Sequence, residues 1–543
     1  MTDTNRANSK AAFVLADAMR QLGVTRVFGL PGGGSSLDLI EGAKASLLPF
    51  TLVRHETAGV MMAAVTADLT GRLGAMLVTK GPGLANSANG LACAALERSP
   101  VLFVTDGFSE RMQGFVSHQV FDQLAMIAPV TKAQVRVKGP DIAAETARLA
   151  LIATAAPAGP VALEMPGPAA QSAARAMPMP LIVPAPPADA DSLAAARVLL
   201  GRARRPVVIA GLEVRDTAAC AATRSLVNAL GCPALVTYKA KGVIPDADPH
   251  YAGIFTGGEA EAAIVEQADL IILAGADPVE FILQPWRYTA PVLDIALFRR
   301  PVHYMEPAHI CIGAPDATLA ALAEGAATSD WHMPDIAAHR TAARAALAFP
   351  GTDAAIGPQR IVEMAAAACA RRGVDARASV DAGAHMISAT EFWPCTRPHD
   401  LLISNGLATM GYALPAAIAA ALHDPARPVL AFTGDGGLAM CLGELATAVA
   451  AGARILVIVF NDDGLSMIAA KRGARDLPDD SLGWRHTDFA TAMRGMGGAG
   501  WAVRSVAEYA AALDGALALE GPALIDVHVD PAGYSEQLKA LRG

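Results

Sequence analysis

The stretches PVLAFTGDGG (428–437) and ILVIVFNDDG (455–464) decide the fold of this chain. Each opens on an apolar, partly β-branched run and ends in small and acidic residues, the pattern of a buried strand that breaks into a turn. Between them Leu438, Leu442, Leu445 and Val449 are spaced for one helical face, with Gly452 at the end, which predicts a single helix. A strand-helix-strand crossover of this length is right-handed in nearly all cases and lays its strands parallel. Asp435 and Asn461 then stand side by side at the carboxyl edge of the sheet, where ligands bind in such folds.

Gly434, Gly436 and Gly437 let the backbone approach a ligand closely, and a helix start after them favours an anion, most simply a phosphate. A carboxylate, an amide oxygen and a nearby carbonyl are hard ligands that suit Mg2+, completed by phosphate oxygens and water. The residues alone therefore read as a magnesium-diphosphate site. The plainer alternative is a glycine-rich turn capped by an aspartate.

Moving outward, the amino-terminal region repeats the same style. Ala11, Val14, Leu15, Ala18, Met19 and Leu22 share a helical face stopped by Gly23. Strand signals at 25–29, 50–54, 75–79 and 101–105 alternate with small-residue helices and with the loops Pro31-Gly32-Gly33-Gly34 and Gly81-Pro82-Gly83. Prolines crowd 157–187 like a linker, strand signals recur at 207–209, 234–237 and 270–274, and the Ala-rich stretch 334–350 reads as a second connection. Short apolar strands joined by helices imply parallel sheets covered on both faces. The expectation is three doubly wound α/β domains, at 1–175, 190–335 and 355–543.

The 543 residues suffice for three or four domains. Hydrophobic residues make up 53% and charged residues 17%, which excludes global disorder. A net charge of −9 without any basic run excludes a dedicated nucleic-acid binder. The mean hydropathy is +0.35, yet the longest apolar stretches, 412–422 and 455–460, are too short to span a bilayer. Residues 1–10 are polar and lack the apolar core of a signal peptide. Seven cysteines without any CxxC pair fit a reducing compartment, so a soluble, cytoplasmic protein is expected.

The order Gly434-Asp435-Gly436, with Asn461 at the next strand end, resembles the cofactor motif of thiamine-diphosphate-dependent enzymes. That resemblance implies Mg2+ held by Asp435, Asn461 and the carbonyl of Asp463, with Gly437 and Gly464 beside the diphosphate. Asp462 departs from the family's usual second Asn. Upstream, Arg54-His55-Glu56 looks like the end of the second strand that carries the family's activating Glu, so Glu56 is implied to hydrogen-bond the aminopyrimidine. Such a carboxyl must be partly desolvated to share a proton.

The segment GLATMGYALP (406–415) is similar to the acetolactate synthase stretch whose Met wedges between the cofactor rings. By that resemblance Met410 takes the wedge role, and the Ala408 carbonyl accepts from the aminopyrimidine. Gly83 and Asn86 echo the same family, as do Gln119 and the final strand entered through Gly521-Pro522. Gly33 sits in a loop that is glycine-rich in acetolactate synthases, whereas benzoylformate decarboxylases carry Ser there and benzaldehyde lyase His. Lys80 could present a cation to a substrate carboxylate, and His118 could shuttle a proton beside Gln119. Met467, in the lid region 466–471, lines the substrate side. Lys471 stands where acetolactate synthases usually place a Trp.

The resemblance thus implies a thiamine-diphosphate and Mg2+-dependent 2-oxo acid decarboxylase or carboligase, acetolactate synthase-like. An enamine formed from the 2-oxo acid is either protonated or transferred to a second carbonyl. It also implies a homodimer or homotetramer, with each cofactor between the first domain of one subunit and the third of another. The middle region lacks a G-x-G-x-x-G fingerprint, so FAD stays an unsupported alternative. The rival readings are a C–C lyase of 2-hydroxy ketones, a catalytically silent cofactor-binding relative, and a nucleotide-binding oxidoreductase.

Overall fold

The computed structural model describes residues 9–281, 285–478 and 480–543. The leader reading on 1–10 falls mostly on residues outside that set. The described residues form three six-stranded sheets in which every strand pair is parallel, plus an antiparallel pairing of Ser9–Lys10 with Ala173–Ala174. The central strands of all three are rich in V, I, L and A and buried on both faces, as parallel sheets with helices on each side require.

The amino-terminal sheet contains β1 (Val27–Leu30), β2 (Phe50–Leu52), β3 (Gly74–Val78), β4 (Val101–Gly107), β5 (Gln134–Arg136) and β6 (Val161–Pro166), in the order β2-β1-β3-β4-β6-β5. The middle sheet contains β7 (Pro206–Ala210), β8 (Ala234–Val236), β9 (Tyr251–Ile254), β10 (Leu270–Ala274), β11 (Val292–Ala296) and β12 (His309–Ile312), ordered β9-β8-β7-β10-β11-β12. The third contains β13 (Arg377–Val380), β14 (Leu401–Ile403), β15 (Val429–Gly434), β16 (Ile455–Asn461), β17 (Ala499–Val503) and β18 (Ala523–His528), ordered β14-β13-β15-β16-β18-β17. The first and third sheets thus share one topology, and the middle one has the strand order of dinucleotide-binding folds.

By contacts the chain divides into two compact units. One comprises 1–183 with 414–426 and 441–453; the other comprises 184–413, 427–440 and 454–543. The first unit therefore borrows most of helix Ala413–His423 and all of helix Glu444–Ala450 from the carboxyl-terminal third of the sequence.

Several expectations need correction. The crossover between β15 and β16 holds two helices, Asp435–Met440 and Glu444–Ala450, where the leucine spacing predicted one. Gly436, Gly437 and Gly443 carry the poorest helix propensity of any residue but proline, and the break falls at 441–443. The stretch 334–350 is no connection for most of its length but helix Met333–Ala346, because alanine is the best helix former. Strand β2 ends at Leu52, so Glu56 opens helix Glu56–Thr70 instead of ending a strand. His55 is that helix's N-cap, its Nδ1 accepting from the Thr57 N–H, and Gly71 closes it in the left-handed region (φ 62°). All seven cysteines are buried and unbridged, as small core hydrophobes are.

Candidate active site

In the third sheet the connections from β13 and β15 leave in opposite directions, and the carboxyl ends there open the crevice where open α/β sheets bind ligands. A cavity of about 230 Å3 lies at this point. It is lined by Ala382–His385 after β13, Gly434–Gly437 after β15, Phe460, Asp462 and Gly464–Ile468 around and beyond the end of β16, and Ala408 and Met410. Parallel register sets Gly434 beside Phe460, so Asp435 and Asn461 start adjacent turns.

Asp435 is 3% exposed, and burial, with the Asp462 carboxylate next in weight, pushes its carboxyl up to about 7. Asp462 is itself pushed up to about 6, chiefly by burial. Asn461 is buried; its Nδ2 donates to Asp526 Oδ1 at 2.9 Å and to the Thr487 carbonyl at 3.3 Å, leaving Oδ1 facing the Asp463 N–H at 3.3 Å. Asp463 adopts φ 57°, a left-handed conformation that turns its carbonyl sharply from the strand direction.

Trp484 bears on two of these groups at once. Its indole N–H donates to Asp435 Oδ2 at 3.1 Å, and its backbone N–H donates to the Asp463 carbonyl at 2.9 Å. Two of the three oxygens proposed for Mg2+ are therefore covered by electropositive hydrogens. Residues 482–486 form a strap that carries Trp484, held there by the Leu465 N–H donating to the Leu482 carbonyl at 2.8 Å and by a bridge between Gly464 and Gly483. An all-oxygen donor set, an excess of buried negative charge and N–H groups standing where a cation would sit all fit a divalent ion.

Three residues that the sequence reading passed over shape this end. His385 is buried, stacked on Phe460, held neutral by burial (down to about 4), and its Nε2 has no partner among the described residues. It faces the backbone of Gly383 and Gly434, where a Cβ at Gly434 would come 3.4 Å from the ring. Asp381 accepts from the Gly411 and Tyr412 N–H groups (3.0 and 3.1 Å) and from Thr433 Oγ1 (2.9 Å), fixing the turn that presents Met410. The signal was weak: Asp381-Ala382-Gly383 has the acidic and small residues of 435–437, but the strand before it, Arg377–Val380, is half polar. Trp484 carried no local signal.

In the unit with the amino-terminal sheet, Glu56 is 5% exposed, and Asn86 Nδ2 donates to its Oε2 at 3.1 Å. A Cβ at Gly83 would lie 3.5 Å from Glu56 Oε1, so Glu56, Gly83 and Asn86 form one cluster at the carboxyl end of β3. Gly81 (φ 69°) passes so close to Gln119 that a Cβ there would meet the Gln119 Cβ at 3.0 Å. Asp106 accepts from Ser35 Oγ, Ser36 N–H and Ser36 Oγ, which pins the glycine loop carrying Gly33. Gly33 itself faces open space. His118 and Gln119 are exposed, and the Lys80 ammonium lies 4.7 Å over the Phe108 ring. Met467 and Gly464 line the cavity of the other unit, as Met410 does.

The middle sheet offers a different donor set. Glu213, Asp277 and Asp294 surround the buried Arg300, with Arg300 Nη1 2.8 Å from Asp294 and Nη2 3.3 Å from Glu213. Burial pushes Glu213 up to about 7. Three carboxyls thus meet one guanidinium at this edge.

Comparison with known sequences accords with the geometry. Residues 9–126 match the N-terminal TPP-binding domain of thiamine pyrophosphate enzymes, 193–298 the central domain and 381–527 the C-terminal TPP-binding domain. The chain is 30% identical to an acetolactate synthase of Bacillus subtilis, over 98% of this chain and 94% of that protein. It is 30% identical to the catabolic acetolactate synthase of Raoultella terrigena (96% and 95% covered), and 28% to the acetolactate synthase isozyme 2 large subunit of Escherichia coli (94% and 94%). Among the described residues no helix is long and apolar enough to cross a membrane.

Proposed function

Because this chain belongs to the thiamine pyrophosphate enzymes, a family of transferases and lyases, we propose that it is a Mg2+-dependent, acetolactate synthase-like decarboxylase and carboligase of 2-oxo acids. The observation that carries this reading is the oxygen set of Asp435, Asn461 and the Asp463 carbonyl at adjacent strand ends, with the Trp484 N–H groups on two of its members. In this reading those oxygens hold Mg2+. The backbone of 434–437 and the unpartnered His385 Nε2 face the diphosphate, and Met410 sets the bend between the rings.

Thiamine diphosphate, when bound, supplies the electron sink that lets a 2-oxo acid lose CO2. The chain's own residues do the rest. Glu56, desolvated and oriented by Asn86, shares a proton with the pyrimidine nitrogen. The Ala408 carbonyl, at φ 52°, accepts from the amino group. Lys80, His118 and Gln119 face the substrate, and Met467 shapes its cavity.

The domains run 1–175, 190–335 and 355–543, and the protein works in the cytoplasm. It is a homodimer or homotetramer in which Glu56 of one subunit serves the metal site of another. Exposed Phe115, Phe121 and Met126 in one short segment support a protein-covered surface there. Lys471, where acetolactate synthases place a Trp, favours a second reading, C–C cleavage of a 2-hydroxy ketone, over strict acetolactate synthesis.

The test is CO2 release from pyruvate and from benzoylformate with added cofactor and Mg2+. Glu56→Gln should bind cofactor normally and lose about 10²- to 10⁴-fold in turnover. Undiminished turnover in that variant, or no cofactor binding by the wild type, would sink the proposal.

A further inference from the structure

Asp463 presents two faces. Its carbonyl accepts from the Trp484 backbone N–H at 2.9 Å, while its carboxylate meets two imidazoles. Asp463 Oδ1 is 2.9 Å from His486 Nδ1, and the His486 and His528 rings lie 6.0 Å apart, edge to face. One ligand atom from each of Asp463, His486 and His528 lies within 4.8 Å of the others. His528 Nδ1 is buried and has no hydrogen-bond partner among the described residues. His528 ends β18, paired in register with Asn461, so one of the three ligands rides on a rigid strand end and Asp463 follows two residues after its neighbour Asn461.

We propose that Asp463, His486 and His528 form a second metal site, for a transition-metal dication of the zinc or cobalt class, and that the ion latches the Trp484 strap. Imidazole nitrogen with one carboxylate suits these ions and not Mg2+, which demands oxygen. Three protein ligands leave a position for water, in keeping with a His486 side chain that is 41% exposed. His486 lies two residues after Trp484, whose N–H groups cover Asp435 Oδ2 and the Asp463 carbonyl. An ion that ties His486 to Asp463 and His528 holds the strap closed. By linkage, it opposes loading of Mg2+ and diphosphate by the factor that those ligands oppose it. The latch rests on the proposed cofactor reading; the ion's binding does not.

The experiment is equilibrium dialysis of the cofactor-free full chain against Zn2+ in excess Mg2+, followed by fluorescence titration with Mg2+ and thiamine diphosphate, with and without Zn2+. One equivalent of Zn2+ is expected, lost in both His486→Ala and His528→Ala, with circular dichroism confirming their fold. The exposed His486 makes its variant the safer of the two. Saturating Zn2+ should weaken Mg2+-thiamine diphosphate binding about tenfold in the wild type and not in His486→Ala. No Zn2+ uptake, or uptake unchanged in both variants, overturns the site. Uptake without weakened loading overturns the latch. A wild type that takes Zn2+ but never binds thiamine diphosphate overturns the cofactor reading instead.

Discussion

Trp484 and Glu280 show how much one side chain can decide. Trp484→Phe keeps the ring and the backbone N–H on Asp463 but removes the indole donor from Asp435. Mg2+ then competes with one hydrogen bond fewer. Its affinity, read by titration calorimetry, should rise by about tenfold, roughly 1.5 kcal/mol for a bond to a charged acceptor. An unchanged affinity would show that the indole does not contest the site.

Glu280 is fully buried, accepts from Thr237 Oγ1 and the Leu212 N–H, and is pushed up to about 7, first by burial. Its folded pKa lies above the unfolded value near 4.5, so between those pH values the folded chain holds a proton that the unfolded chain has released. Its contribution to stability is full below pH 4.5 and falls as pH rises through about 7. Glu280→Gln should therefore gain in Tm relative to wild type as pH climbs through that window, since Thr237 can turn its hydroxyl to accept. A difference in Tm independent of pH would refute the assignment.

Among the elements, the turn after β15 is tightly built. A Cβ on Gly437 would stand 2.3 Å from Asp381 Oδ2, and Asp381 is already engaged by Gly411, Tyr412 and Thr433. Gly437→Ala should cost about 1–3 kcal/mol in chemical denaturation. Gly33→Ala, in open space, should stay within about 0.5 kcal/mol. Equal costs would mean that the Asp381 cradle is not what holds the turn. This turn was legible in the sequence because an apolar run ending in Gly-Asp-Gly is a local pattern. The helix break at 441–443 was not, since leucine periodicity continues across it while glycine propensity interrupts it. Strands β9, β11 and β12 passed unread because their short runs carry His, Asp, Tyr and Gly among the apolar residues. Trp484 reaches Asp435 across 49 positions, a closure that no local window contains.

For the whole molecule, the proposed sharing of sites between subunits gives an arithmetic test. Co-expressed Glu56→Gln and Asp435→Asn chains should pair at random, and half the dimers would be mixed, each with one intact site in two. Activity near about one quarter of wild type is expected from two individually dead variants. Activity no higher than that of either variant alone would place both residues in one chain's site.

The interleaving of the two compact units has a consequence for synthesis. The first unit's own sheet has left the ribosome by residue 183, yet it lacks the helices drawn from 414–426 and 441–453. Some 453 − 183 = 270 further residues must emerge before it is whole. At about 5–20 residues per second that is a wait of roughly 15–50 s. Through that interval the nascent chain carries apolar surface waiting for helices not yet made, among them the one whose Glu444 will accept the N–H groups of Arg54 and His55. A holding chaperone, or slow growth temperature, should therefore govern the yield of this protein more than the stability of the finished chain does.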